Sequence, residues 1–257
     1  MAELNGVPVR TEELQALALT NFGHFTTMRV EAGRVRGLAL HLARLVRDCR
    51  TVFGAALDPE RVRAYARRAA PGGAVAMVRV TVFDPALDVG SLGADAEPRV
   101  LVTTRPAGAP EFPPLRVRSV PYVRDLPAVK SVGLFGALYH RSEARRAGFD
   151  DALFVDREGH VSEGGTWNIG LVRGSQVVWP DADCLAGTTM ELLRRARPHR
   201  VERLPSAALG GFEAAFATNA AIGVRAVAAV DGFTFPERHP VIAALRDDYL
   251  GLPGDPL

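Results

Sequence analysis

The chain has 257 residues, long for one domain and comfortable for two, and its 47% hydrophobic and 23% charged residues describe a globular protein with ample core. A formal net charge of +2, with arginines scattered among Asp and Glu, leaves no basic tract to bind nucleic acid. Cys49 and Cys184 form no CxxC pair and the six histidines show no metal-ligand spacing, so neither a disulfide framework nor a metal site is expected.

In chain order, residues 1–13 carry acids early, and no apolar run approaches a membrane span, so the expected compartment is the cytosol. Phe25–Val30 reads as extended. Leu38, Leu42, Leu45, Cys49 and Val52 follow a 4-3-4-3 spacing and predict an amphipathic helix over about 38–53. A second helix starts at Asp58-Pro59, with Asp as N-cap, and fades before Pro71-Gly72-Gly73. Ala74–Phe83 and Arg99–Thr104 read as strands. Arg105–Leu115 holds four prolines and a glycine, a density that reads as a linker.

Beyond the linker, Leu115–Val120 is extended, Ser131–Ala147 is a helix stopped by Gly148, and Ala152–Asp156 and Trp167–Val172 are extended. Between them, Val161–Asn168 places Glu163 at a turn before a strand. Leu185–Glu191 is a Gly turn opening a helix, with Thr188 and Glu191 spaced as a capping box. Ala214–Thr218 and Ile222–Val230 are extended, and a helix over Pro240–Leu250 follows. The expected organisation is a small domain over 1–104, a linker over 105–115 and a larger domain over 116–257. Both halves mix strands and helices, which makes the class α+β or α/β. No G-x-G-x-x-G or phosphate-binding G-x-x-x-x-G-K-[ST] sequence supports a nucleotide fold.

Of the 31 Lys and Arg residues, one is lysine, Lys130, which leaves 30 arginines. The two are interchangeable as solvated charges but not in imine chemistry. A guanidinium keeps its proton, whereas a lysine amine can lose one and attack a carbonyl. A lone lysine in an arginine-saturated chain is therefore a candidate covalent residue.

Four segments then resemble, in order, the class IV pyridoxal-phosphate (PLP) enzymes of fold type IV. That group includes branched-chain aminotransferases, D-amino-acid aminotransferases and 4-amino-4-deoxychorismate lyases. The segments are Phe22–Val30, His41-Leu42-Ala43-Arg44-Leu45, Val161-Ser162-Glu163 with Asn168, and Leu185-Ala186-Gly187-Thr188-Thr189, with Lys130 at the position of the family's Schiff-base lysine. The resemblance implies a two-domain enzyme with PLP at the domain interface, and a homodimer. It implies Lys130 as the covalent and acid–base residue and Glu163 at the pyridine nitrogen. It also implies Thr188, Thr189 and Arg44 around the phosphate, and Asn219 among the cofactor-binding residues. Phe25, Thr26, Arg29 and Arg79 are the candidate substrate residues, with Arg29 or Arg79 expected to meet a carboxylate.

Departures from the family pattern bear on the reaction. Phe135 stands where many members have Tyr, Met190 where an Arg often follows the turn, and Ala220 where aminotransferases usually place a phosphate-binding Thr. Asp84-Pro85 replaces an Arg-Gly pair found in many lyases and D-amino-acid aminotransferases, while Asn219 and Phe25-Thr26-Thr27 are similar to the lyases. The expected activity is amino transfer between an amino acid or amine and a 2-oxo acid. The alternatives are β-elimination to an aromatic amine and pyruvate, and PLP binding without turnover.

Overall fold

A computed structural model of the chain describes residues 2–108 and 112–257; the part of the proline-rich stretch at 109–111 lies outside the described residues. The polypeptide divides into two compact units. The first comprises the chain up to Gly108 with Val129–Gly133 and Pro253–Leu257, and the second comprises 112–128 and Leu134–Leu252. The short Lys130 segment thus packs with the N-terminal unit, on the other side of the division suggested by the prolines.

In the first unit, β1 (Ala2–Leu4) and β2 (Val7–Pro8) precede α1 (Thr11–Thr20). Then come β3 (His24–Glu31), β4 (Arg34–Val35), α2 (Leu38–Phe53), α3 (Pro59–Ala69), β5 (Ala76–Phe83) and β6 (Arg99–Pro106). The sheet is antiparallel, in the order Asp255–Pro256, β4, β3, β5, β6, β1, β2. Alternation sends Met28 and Val30 of β3, and Val78, Val80 and Val82 of β5, to one face. There they form a core with Leu38, Leu45 and Cys49 of α2 and Val62 and Ala66 of α3. The α2 stripe lands as its spacing predicts. Asp58 caps α3 by accepting from Glu60 N at 2.9 Å and Arg61 N at 3.4 Å. Leu257 is buried in the same core and anchors the C-terminal strand. One expectation needs correction, and one helix has no counterpart in the sequence reading. β6 continues through Pro106, with Ala76 opposite it, so the linker begins later than the prolines suggest. Helix α1 carries no periodic signal because none of its residues is fully buried.

In the second unit, β7 (Leu115–Pro121), α4 (Phe135–Arg146), β8 (Asp151–Val155), β9 (Val161–Gly164), β10 (Asn168–Arg173) and β11 (Gln176–Pro180) lead to α5 (Thr188–Ala196). β12 (His199–Glu202), β13 (Ala214–Asn219), β14 (Gly223–Val230) and α6 (Pro240–Gly251) follow. The mixed sheet runs β12-β11-β10-β13-β14-β7-β8-β9, and β9 pairs back to β10, which closes a barrel around Leu153, Val161, Ile169, Leu171 and Val227. The outer face of β13 and β14 packs against α5 and α6 through Phe216, Val224, Leu193 and Leu245. The predicted helix over Ser131–Ala147 is shortened to Phe135–Arg146, because Ser131 forms a β-bridge with His24. Glu163 lies in strand β9 rather than in a turn. Among the described residues no helix is long and apolar enough to cross a membrane.

Candidate active site

The first unit holds Lys130. Its backbone is fixed from two sides: Lys130 N donates to Asp48 Oδ2 at 3.0 Å, and Phe25 N donates to Lys130 O at 2.9 Å. The Lys130 Nζ stands 4.9 Å from the Phe25 ring centroid, and Arg79 Cζ is 3.6 Å from the same centroid. One aromatic ring therefore gathers the lysine and an arginine. Burial lowers the Arg79 pKa, and among the described residues no carboxylate lies within ion-pair distance of it. Arg29 is differently placed. It donates to Glu31 Oε1 at 2.7 Å and to Gly108 O at 3.1 Å.

On the helix-facing side of β3, Thr26 is buried and its Oγ1 accepts from Arg44 Nη2 at 2.7 Å. The same hydroxyl is 2.7 Å from His41 Nδ1. Burial first, then the nearby cations Arg44 and Lys130, hold the His41 pKa well below its usual value. A neutral imidazole leaves Nδ1 free to accept the Thr26 proton. The Thr26 hydroxyl is thus taken up by Arg44 and His41. The Arg44 pKa falls to about 10, mainly from burial and partly offset by Asp48. His41, Arg44 and Asp48 recur at i, i+3 and i+7, one buried polar edge of α2. That spacing is the sequence signal for Asp48, which lies outside the family motifs.

His24 is fully buried beside this edge, with neither ring nitrogen hydrogen-bonded. Burial lowers its pKa to about 4, against an opposing pull from Asp48. The depressed folded-state pKa means its contribution to stability is present above about pH 6.5 and is lost as pH falls toward about 4. That is about 3 kcal/mol at most for such a shift. His24→Phe is expected to flatten the acid limb of a stability–pH curve between those values, leaving the share carried by His41. An acid limb identical to that of the parent protein would refute the assignment.

The second unit holds Glu163, Thr188, Thr189 and Asn219. Glu163 Oε1 accepts from Arg124 Nε at 2.9 Å, an ion pair shielded on both sides, and Leu185 N approaches both Glu163 oxygens at 3.3 Å. Arg124 is inconspicuous in sequence as one arginine among many. Its only signal is its place six residues before Lys130, ahead of Leu126-Pro127. Asn168 Nδ2 donates to Leu185 O at 2.7 Å, and a Cβ on Gly187 would sit 2.1 Å from Asn168 Oδ1, so only glycine fits there.

Gly187 is the N-cap of α5 and Thr188 its first residue, so the expected capping box does not form. The Thr188 and Thr189 hydroxyls are buried without a protein partner. So is the hydroxyl of Thr218, which sits across the ladder from Asn168 and which no sequence motif singles out. A helix start with two unsatisfied buried hydroxyls is suited to an anion. Asn219 Oδ1 accepts from Ala221 N and Ile222 N, each at 2.9 Å, and shapes the turn between β13 and β14. Met190 is core, and Phe135 is 80% exposed.

The family model described as amino-transferase class IV matches residues 23–230. The chain belongs to that family. Its probable branched-chain-amino-acid aminotransferase relative from Rickettsia typhi is 33% identical over 101 residues, 37% of this chain and 35% of that protein. The match therefore spans about a third of the relative's length. Among solved structures, the class IV chain resembles the branched-chain amino acid aminotransferase of Escherichia coli with a TM-score of 0.86 and 20% identity, over 98% of this chain and 93% of that one. A PLP-bound hypothetical aminotransferase from Mycobacterium tuberculosis gives 0.81 and 20%, over 98% of both chains. A putative 4-amino-4-deoxychorismate lyase from Legionella pneumophila gives 0.79 and 21%, over 93% of both. At such identities these likenesses establish the two-domain fold-type-IV architecture alone.

Proposed function

We propose that this class IV protein carries pyridoxal 5'-phosphate on Lys130 and transfers an amino group between an amino acid or amine and a 2-oxo acid. The observation that carries this reading is Lys130 itself. It is the sole lysine, its main chain is clamped by Asp48 and Phe25, and its amine shares the Phe25 ring with Arg79. The residues fit the cofactor: the start of α5 offers two buried hydroxyls without partners and β13 a third, groups suited to a phosphate, and Glu163 offers a carboxylate held in place by Arg124.

When bound, PLP supplies an aldehyde that takes up amines and a ring that accepts the electron pair released at the substrate Cα. Lys130 holds the cofactor, then serves as the base and acid for the Cα proton. We assign Glu163 to the ring nitrogen, where its charge favours the protonated ring. Thr188, Thr189 and Thr218, with Arg44, hold the phosphate, and Asn219 shapes the adjoining turn. Arg79, with Phe25, receives the substrate carboxylate; Arg29 is the weaker candidate because Glu31 already pairs with it. A cytoplasmic homodimer belongs to the same proposal.

Thr189→Val separates the phosphate role from a packing role. Removing a buried hydroxyl that lacks a partner should leave the PLP-free protein as stable or more so, while PLP affinity falls by about 1.5–3 kcal/mol. Equal PLP affinity, read by equilibrium dialysis, would return Thr189 to a structural role.

The lyase-like Asn219 and Phe25-Thr26-Thr27, with the likeness to the Legionella pneumophila structure, keep β-elimination as the second reading. Counting products without an acceptor decides between them. Transfer gives one equivalent of 2-oxo acid per PLP-loaded protomer from a panel of L- and D-amino acids, with turnover resuming when a second 2-oxo acid is added. Repeated pyruvate release from aminodeoxychorismate without acceptor would overturn the transfer reading.

A further inference from the structure

The barrel of the second unit opens at one end, where β7, β8 and β14 begin and β13 ends, into a cavity of about 440 Å3. Its floor carries Phe149 and Ile222 over the almost fully buried core residues Leu115 and Trp167, and polar groups make up most of the lining. Its rim is charged, with Arg141, Arg145 and Arg225 facing Asp150 and Asp151. Mouths of β-barrels are recurrent small-molecule sites when an apolar wall meets a few fixed polar groups.

The three arginines are not equivalent. Arg141 is committed to Asp151, donating from Nε at 3.0 Å and Nη2 at 2.7 Å, with a further bond to Thr166 Oγ1 at 2.7 Å. Trp167 Nε1 also donates to Asp151, at 2.9 Å, so that carboxylate is satisfied. Arg145 and Arg225 donate from Nε to main-chain carbonyls, Asp150 O at 3.0 Å and Pro113 O at 2.6 Å, and the Arg225 guanidinium also stands 5.6 Å from the Phe112 ring centroid. Among the described residues, neither has a carboxylate within ion-pair distance. Their Nη atoms are left to a guest. Burial also lowers the Arg225 pKa, against the pull of Asp150 and Asp151.

Asp151 cancels Arg141 and Asp150 offsets one of the other two arginines, which leaves one positive charge. A planar carboxylate matches the Nη edge of a guanidinium, and Phe149 with Ile222 suits a hydrocarbon body. We propose that this barrel mouth binds a small organic monocarboxylate with an apolar body. Lys130, Glu163 and the hydroxyls at the start of α5 take no part in it; Asn219, the turn residue of the proposed cofactor site, lines it beside Thr166.

Calorimetric titration of the protein, with and without bound PLP, using benzoate, acetate and inorganic phosphate tests the proposal. Benzoate should bind in both forms, with acetate and phosphate each about tenfold weaker or worse. Arg225→Gln and Arg145→Gln should each weaken benzoate by about tenfold or more, the loss of one charge-assisted contact. Asp150→Asn, whose amide oxygen can still accept from Arg116 N, should strengthen it by a few-fold. Arg145 is exposed, so its variant keeps the fold even if the Arg225 variant does not. Benzoate affinity unchanged in both arginine variants, or phosphate binding tighter than benzoate, would overturn the proposal. So would benzoate binding confined to PLP-free protein, or lost in Arg79→Gln but kept in Arg225→Gln. Failure of PLP to bind at all would bear on the proposed function and not on this site.

Discussion

Lys130→Ala is expected to abolish amino transfer, by at least about a thousandfold, the scale of losing a positioned acid–base residue together with covalent attachment. The fold should survive, because two backbone bonds hold this residue whatever its side chain: Asp48 receives Lys130 N and Lys130 O receives Phe25 N. Neither depends on the side chain. Lys130→Arg should be as inactive, since its guanidinium keeps charge and reach but cannot act as the nucleophile. The direct measurement is borohydride reduction of the PLP-loaded protein followed by peptide mass mapping. One phosphopyridoxyl group is expected, on the peptide that contains Lys130. A colourless protein that ignores added PLP, or full activity in Lys130→Arg, would remove the basis of the proposed function.

Glu163→Gln should leave PLP bound and slow Cα deprotonation by about a hundred- to a thousandfold, or about 3–4 kcal/mol of barrier, through loss of a charge opposite the ring nitrogen. The Gln oxygen can still accept from Arg124 Nε, which sits 2.9 Å from Glu163 Oε1, so the cation is not left without an acceptor. That matters for interpretation. Removing the carboxylate, as in Glu163→Leu, would take the charge of Glu163 from a shielded arginine that keeps its bond to Pro127 O, and destabilise the fold by about 3–5 kcal/mol. A thermal melt therefore accompanies the kinetics. A Gln variant with parental stability and parental single-turnover rate would show that the Arg124–Glu163 pair is structural.

Much of the fold and of the candidate site is legible in the amino-acid sequence alone. The 4-3-4-3 stripe sets helix α2 at Leu38–Phe53, because a helix with one buried face must repeat its apolar residues near 3.6. Alternation and β-branching set β3, β5 and β14 to within a few residues. The uniqueness of Lys130 is a property of composition, and four ordered motifs around it carry the family.

What the sequence could not decide depends on contacts far apart along the chain. Lys130 belongs to the first unit because a backbone hydrogen bond from residue 130 reaches Asp48, and no local pattern encodes a partner 82 residues away. Thr188 has the spacing of a capping residue, but the helix starts one residue earlier, with Gly187 as N-cap against Asn168, and the Thr188 and Thr189 hydroxyls lack partners. Arg29 and Arg79 look alike in sequence. The fold alone pairs Arg29 with Glu31 and lays Arg79 over Phe25, since the direction of a long flexible side chain follows from the charges and rings that packing brings within reach.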